Sequence, residues 1–90
     1  MEDIWEAYGQ VVASKRRIKV LLALYSRPKT PTQISTETDM HISHVSKVLQ
    51  ELVRKELVVC LTPNRKKGRV YALTEKGKIV AEIVKEDVTI

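Results

Sequence analysis

The chain has 90 residues, of which 43% are apolar and 30% charged, and it carries a formal net charge of +5. This balance predicts one globular domain over residues 1–90 and excludes a disordered polypeptide, which would combine low hydrophobicity with high net charge. The longest apolar runs, residues 18–25 and 57–61, are far shorter than the roughly 20 residues that span a bilayer. We therefore expect no transmembrane segment and no membrane partner.

The N-terminus and the cysteine content bear on location and cofactors. Residues 1–3 are acidic where a secretory signal would be basic, so we expect a cytoplasmic protein. The single cysteine, Cys60, cannot form an internal disulfide or a Cys-based zinc site, and it is either small core filling or a redox sensor. His41 and His44 supply only two imidazoles three positions apart, which makes a poor metal site. We expect no metal and no cofactor.

Basic residues are concentrated in two segments. Residues 1–13 carry only acidic charges, whereas residues 14–29 carry basic charges and no acid. The basic residues of that segment are Lys15, Arg16, Arg17, Lys19, Arg27 and Lys29, and a second acid-free cluster consists of Arg65, Lys66, Lys67 and Arg69. Such clusters suit a polyanionic partner, although a modest positive charge is also common in proteins that never bind nucleic acid.

Apolar residues recur at helical spacing near the N-terminus. Large side chains three and four positions apart predict a first helix from Asp3 to Val12. Ser14 is a candidate N-cap for a second helix, whose apolar face consists of Ile18, Leu21, Leu22 and Tyr25. A single helix bent at Ser14 fits the pattern equally well.

A proline and a capping motif mark the next boundary. Pro28 ends the second helix because it disfavours helical geometry at the preceding residue. The run Thr30-Pro31-Thr32-Gln33 has the form of a capping box with proline in the first turn. It predicts a short helix over residues 31–38 with Ile34 facing inward, followed by a tight turn at residues 39–40.

A longer amphipathic helix follows, over residues 42–56. Its predicted inward face is formed by Val45, Leu49, Leu52 and Val53, with Val48 at the margin. The opposite face carries small or polar side chains that can form hydrogen bonds and would not repel phosphate, namely Ser43, His44, Ser46, Lys47 and Gln50.

The pattern then changes to β-prone residues. Residues 58–61 and 69–73 predict two strands joined by a polar turn, which gives a hairpin with a basic tip. Residues 74–77 introduce a final helix with an apolar stripe formed by Ile79, Val80, Ile83 and Val84. Gly77 in its first turn is expected to be a mild cost to the helix.

The order of these elements predicts a mainly α, α+β fold: a winged helix-turn-helix with a three-helix core, a β-hairpin wing and terminal helices. The helix-turn-helix covers about residues 30–57, the wing about 58–73 and the C-terminal helix about 75–86. Residues 14–21, 29–35, 41–52, 55–58 and 71–77 resemble, in this order, segments of small MarR-like and ArsR-like transcriptional regulators of archaeal or bacterial type. Two departures from that pattern are His41 at the helix cap and Glu56 where the wing entrance often has glycine.

The resemblance implies that residues 41–52 are a recognition helix that reads double-stranded DNA. The residues implied in DNA binding are Thr32, Ser43, His44, Ser46, Lys47, Gln50, Arg65, Lys66, Lys67 and Arg69. Gln50 could pair with adenine, and Lys47 with guanine or a phosphate. Lys15, Arg16 and Arg17 could contact phosphates or simply favour solubility. An ordinary solvated helix face is the alternative for the recognition helix, and a protein-interaction module is the alternative for the whole domain.

The apolar faces of the two terminal helices exceed what a three-helix core needs. We expect a homodimer through Trp5, Tyr8, Val12, Ile79, Ile83 and Val84. The alternative is that these helices close the core of a monomer. We expect neither enzyme activity nor a small-molecule substrate, because the chain has no phosphate-binding glycine loop, nucleophile–base spacing or paired carboxylates in an apolar context.

Overall fold

The computed structural model describes residues 4–88, and the fold class predicted from the sequence is confirmed. In this part of the chain the elements are α1 (Ile4–Val12), α2 (Lys15–Ala23), α3 (Pro31–Thr38), α4 (Ile42–Arg54), β1 (Val58–Cys60), β2 (Tyr71–Leu73) and α5 (Glu75–Val88). Asp3, where the predicted first helix began, lies outside the described residues. None of these helices is both long and apolar enough to cross a membrane.

The helical geometry is interrupted at Ser14, between α1 and α2. This decides between two separate helices and a single helix bent at Ser14. Ser14 has an extended backbone, with φ −137° and ψ 121°, and its hydroxyl accepts a hydrogen bond from the Arg17 amide at 3.4 Å. A residue with this geometry caps a new helix and does not continue the previous one. The N-terminal region therefore consists of two helices.

The capping box at the start of α3 is confirmed. Thr30 Oγ1 accepts from the Gln33 amide at 3.2 Å, and Gln33 Oε1 accepts from the Thr30 amide at 2.9 Å. The helix ends at Asp39, whose backbone is left-handed with φ 57°. Aspartate tolerates this conformation better than most residues, which explains why the turn between α3 and α4 can be tight.

Both departures from the family pattern have a structural role around α4. His41 caps the helix, because its Nδ1 accepts from the Ser43 amide at 3.2 Å. The helix ends at Arg54, before the predicted end at Glu56, since Glu56 has a left-handed backbone with φ 62°. That conformation favours glycine, so Glu56 keeps the geometry of the wing entrance without the usual residue.

The inward face of α4 differs from the prediction at its edge. Val48 is buried and Val53 is 39% exposed, the reverse of the prediction for these two residues. At 100° per residue, Val48 lies closer than Val53 to the centre of the stripe set by Val45 and Leu52. The core unites residues from all five helices with Leu57 and the first residue of β1. Its largest fully buried side chains are Val11, Val20, Leu21, Ile34, Val45, Leu49, Leu52, Leu57, Val58, Val80 and Val84.

The wing strands are shorter than predicted. β1 and β2 are antiparallel with three residues each, and Val58 pairs with Leu73 and Cys60 with Tyr71. A third segment extends the pairing: the Lys29 amide donates to the Tyr71 carbonyl at 3.0 Å, and the Tyr71 amide donates to the Lys29 carbonyl at 2.8 Å. The wing is thus attached to the segment that enters α3.

The side chain of Lys29 is buried, with 4% of the residue exposed. Its ammonium group donates to Glu37 Oε1 at 2.8 Å, to the Ala23 carbonyl and to Ser26 Oγ at 3.5 Å. Lys29 belongs to the basic segment of residues 14–29, but its charge is satisfied inside the fold and is not available to a polyanionic partner. Lys29 joins the end of α2, helix α3 and the wing.

We expect Lys29→Met to lower the free energy of unfolding by about 1–3 kcal/mol, since it removes a buried donor and leaves its acceptors without a partner. Glu37 is 44% exposed on its side chain, and Glu37→Gln keeps an oxygen that can accept from the Lys29 ammonium, so this variant should cost at most about 1 kcal/mol. Urea unfolding of the two variants measures the difference. Equal losses would contradict the central role of the Lys29 ammonium.

Gly77 allows the first turn of α5 to approach the segment between α4 and β1 closely. A Cβ at Gly77 would lie 2.0 Å from the carbonyl oxygen of Leu57. The same junction holds Thr74, whose hydroxyl donates to the Glu56 carbonyl at 2.7 Å and accepts from the Gly77 amide at 3.0 Å. The predicted mild cost of Gly77 is therefore an incomplete account, because the close approach requires glycine.

We expect Gly77→Ala to destabilise the protein by about 1–3 kcal/mol, because the added methyl group must displace backbone. Gly9→Ala is the matched control, since nothing lies within 4 Å of its Cβ position in α1, and it should stabilise by about 0.5–1 kcal/mol through helix propensity. Thermal unfolding followed by circular dichroism should show shifts of opposite sign. A stabilising Gly77→Ala would refute the packing argument.

Candidate nucleic-acid interface

One polar stripe runs along the exposed side of α4. Ser43, Lys47, Gln50 and Arg54 are exposed, and their spacing of four, three and four residues puts them on one face of the helix. Arg54 was not among the residues predicted from the sequence, although the same spacing points to it. The stripe presents hydroxyl, amide and cationic groups along the length of the helix.

His44 and Ser46 are half-buried and flank this stripe on opposite sides. Two residues on a helix correspond to about 200° of rotation, so these side chains lie about 160° apart. Ser46 faces the wing, and His44 faces the start of α2. The predicted residues of α4 thus form a central stripe with one residue at each flank.

The flank at Ser46 is a cleft between three elements. A cavity of about 270 Å³ is lined by Thr30, Pro31, Thr32, Ser46, Lys66, Gly68, Arg69 and Tyr71. The structure therefore brings together predicted residues from α3, from α4 and from the wing. We call this cavity the wing cleft, and it contains hydroxyl groups beside cationic side chains.

Hydrogen bonds close the tip of the wing. Thr62 Oγ1 accepts from the Val70 amide at 2.9 Å, and Gly68 has φ 64°. The side chain of Arg69 folds across the tip, where its Nε donates to the Arg65 carbonyl at 2.5 Å. Arg69 thereby stabilises the loop, whereas Lys66 and Lys67 extend into solvent as exposed residues.

The flank at His44 is a smaller notch against α2. Its volume is about 140 Å³, and it is lined by Ser14, Arg16, Arg17, His44, Lys47, Val48 and Glu51. Arg17 Nε binds Glu51 Oε1 at 3.2 Å, and its Nη1 donates to the Gln10 carbonyl at 2.8 Å. Arg17 therefore joins α1, α2 and α4, and its guanidinium already has protein partners.

The other candidate groups form no cluster suited to a metal. The rings of His41 and His44 are 6.1 Å apart, and between residues 4 and 87 no group of three or more His, Cys, Asp or Glu side chains could hold an ion. Cys60 is half-buried beside Gln50, Val53 and Arg69 in a cavity of about 330 Å³ between α4 and the wing. It is therefore less enclosed than a core residue.

The terminal helices carry exposed apolar side chains. Trp5 is 63% exposed, Val12 38% and Ile79 44%, whereas Tyr8 and Ile83 are half-buried. A correction concerns Val84, which is fully buried in the core and has no surface for another molecule. A hydrogen bond from the Tyr8 hydroxyl to Asp87 links α1 to α5 and raises the pKa of Tyr8.

A family model described as HVO_A0261 N-terminal domain matches residues 5–89. The chain belongs to this family. No curated protein matches it significantly. The matched residues include the helix-turn-helix and the wing, so both flanks of α4 belong to the part of the chain that matches the family model.

Solved structures of MarR-family regulators have the same winged-helix fold as this member of the family. The reduced form of MarR from E. coli superposes with a TM-score of 0.78 and 26% identity, covering 93% of this chain and 63% of that chain. A MarR family regulator from Neisseria meningitidis gives a TM-score of 0.78 at 23% identity, covering 93% of this chain and 61% of that chain. ZitR from Lactococcus lactis gives a TM-score of 0.69 at 26% identity, covering 84% of this chain and 51% of that chain.

These comparisons confirm the resemblance to MarR-like regulators predicted from the sequence. The chain spans about half to three fifths of the length of these three solved chains, at 51%, 61% and 63%. The shared part contains the winged helix.

Proposed function

We propose that the domain is a sequence-specific regulator of transcription that binds double-stranded DNA with α4 in the major groove and the wing on the backbone or in the minor groove. The observation that carries the proposal is the arrangement around α4: an exposed polar stripe bordered by a basic wing in one continuous surface. The net charge of +5 favours a polyanionic partner. The MarR-family relatives are named as transcription regulators.

The stripe supplies groups for reading bases. A helix fits the major groove, and side chains near its N-terminus reach base edges. Ser43, His44 and Ser46 lie in the first turns of α4, where such contacts occur. Gln50 would pair with adenine through its amide, and Lys47 would bind guanine or a phosphate. These contacts would give the domain its sequence preference.

The wing and α3 supply contacts to the backbone. Lys66 and Lys67 are exposed near the tip of the wing, where ammonium groups would bind phosphates or enter the minor groove. Arg65 would assist them, while Arg69 contributes mainly by closing the tip. The Thr32 hydroxyl borders the same cleft and would donate to a phosphate, as such side chains do at many protein–DNA contacts.

We also propose that two copies bind a pseudo-palindromic site as a homodimer. Trp5, Val12 and Ile79 expose apolar surface on helices α1 and α5, which pack together. Tyr8 and Ile83 complete this terminal surface as half-buried neighbours. Dimers of helix-turn-helix domains present their recognition helices about 34 Å apart, one turn of DNA. A contact through the terminal helices would leave both α4 stripes free.

The DNA-binding proposal is tested by titrating the chain with duplex DNA at several salt concentrations, using fragments selected from random duplexes. Lys66→Gln and Lys67→Gln should each reduce the slope of log affinity against log salt by about one, because each removes one phosphate contact. Gln50→Ala should leave the slope unchanged and relax the preference at one base pair, at a cost of about 1–3 kcal/mol.

Lys78→Gln is the matched control. Lys78 is exposed on α5 and lines a different cavity, with Arg27 and Pro28, and none of these three residues lines the wing cleft. It removes the same charge and should leave the slope unchanged. Absence of salt-dependent duplex binding would refute the proposal and favour the protein-interaction module.

The homodimer is tested by sedimentation velocity at high micromolar concentration. We expect the unmodified chain to sediment as a dimer and Trp5→Glu to shift it toward monomer, since the substitution puts a charge in the apolar contact. Val59→Glu is the control, because Val59 is similarly exposed at 42% but lies on the wing. A monomeric unmodified chain would refute the dimer.

A further inference from the structure

The notch between α2 and α4 lies on the side of the recognition helix that faces away from the wing. His44 and Lys47 form part of its lining from α4, and Arg16 and Arg17 form part from the first turn of α2. None of the lining residues belongs to α3 or to the wing. The exposed stripe of α4 thus has basic side chains on both flanks, from the wing on one side and from α2 on the other.

The charged side chains of the notch differ in whether they already have a protein partner. Arg17 is bound to Glu51 Oε1 and to the Gln10 carbonyl, so the carboxylate of Glu51 is paired within the fold. Arg16 is exposed on α2, and Lys47 is exposed on α4. The pairing of Arg17 with Glu51 leaves the positive charges of Arg16 and Lys47 at the rim of the notch.

The two phosphate backbones of duplex DNA match the basic side chains on the two flanks of α4. The major groove has a phosphate backbone along each wall, so a helix inside it is bordered by phosphates on both sides. If α4 occupies the groove with the wing at one wall, the notch faces the other. Lys47 lies between the stripe and the notch, since it belongs to the exposed face and also lines the cavity.

We propose that Arg16 binds a phosphate of the DNA backbone on the wall of the major groove opposite the wing. The inference rests on the proposed binding mode and extends it: the domain holds the groove from both sides, with α2 as the second clamp. Arg17 is a positioning residue in this scheme, because its bonds to Glu51 and Gln10 fix the first turn of α2 against α4.

The experiment compares Arg16→Gln with Arg27→Gln on the same selected duplex. Arg27 is also exposed, but it lies in the turn after α2 and lines a cavity with Pro28 and Lys78 at the other end of that helix. Both variants lose one charge, so any general electrostatic effect is equal. Arg16→Gln should reduce the log–log salt slope by about one and weaken binding roughly tenfold at low salt. Arg27→Gln should leave the slope unchanged.

Ethylation interference on the DNA identifies the phosphates involved. Arg16→Gln should lose interference at phosphates on one wall of the groove, and Lys66→Gln should lose it on the other wall. Arg16→Lys keeps the charge and should restore the slope. Thermal unfolding is expected to be unchanged for all of these variants, because the substituted side chains are exposed.

Equal slopes for Arg16→Gln and Arg27→Gln would overturn this inference while leaving the proposed function intact, provided that Lys66→Gln still lowers the slope. Loss of interference by Arg16→Gln on the same wall as Lys66→Gln would also overturn it. If the unmodified chain binds no duplex, the proposed function fails, and this inference fails with it.

Discussion

The ammonium group of Lys29 is buried where the end of α2, helix α3 and the wing meet. It bonds to the Ala23 carbonyl and to the Glu37 carboxylate, while the backbone of the same residue pairs with Tyr71 in β2. A buried charge is stable only when such partners surround it. Lys29 therefore joins the wing to α3, the two elements that line the wing cleft together with α4.

A second polar anchor acts on the other side of α4. Arg17 links α1, α2 and α4 through Gln10 and Glu51, at the flank opposite the wing. The buried stripe of α4 fills the space between these anchors with Val45, Leu52 and their neighbours. The exposed stripe consequently has fixed neighbours on both sides, which is the arrangement that a surface for reading a groove requires.

Local signals explain which parts of the fold could be predicted. The capping box at Thr30 and the cap at Ser14 act within three residues, so the sequence shows them directly. The backbone pairing of Lys29 with Tyr71 and the need for glycine at position 77, beside Leu57, depend on segments far away in the chain. A lysine within a basic run is expected at the surface, and its pairing with a wing strand leaves no local trace. The candidate DNA-binding residues on α4 were predicted from the polar face of the helix and from the family resemblance, whereas the notch at Arg16 required the packing of α2 against α4.

The two anchors around α4 also affect how the protein and DNA would adapt to each other. Helix α4 is joined to α2 by the ion pair of Arg17 with Glu51 on one flank, and on the other it faces a wing that pairs with Lys29. These contacts restrict its movement as a separate unit. In the proposed binding mode, the DNA would therefore change its shape more than the protein does. Its groove width and bend would have to fit the fixed arrangement of α4 and the wing. Flexible pyrimidine–purine steps accept such deformation at lower energy than stiff A-tracts. The preference of the domain for a site would thus include the mechanical properties of base pairs that no side chain touches.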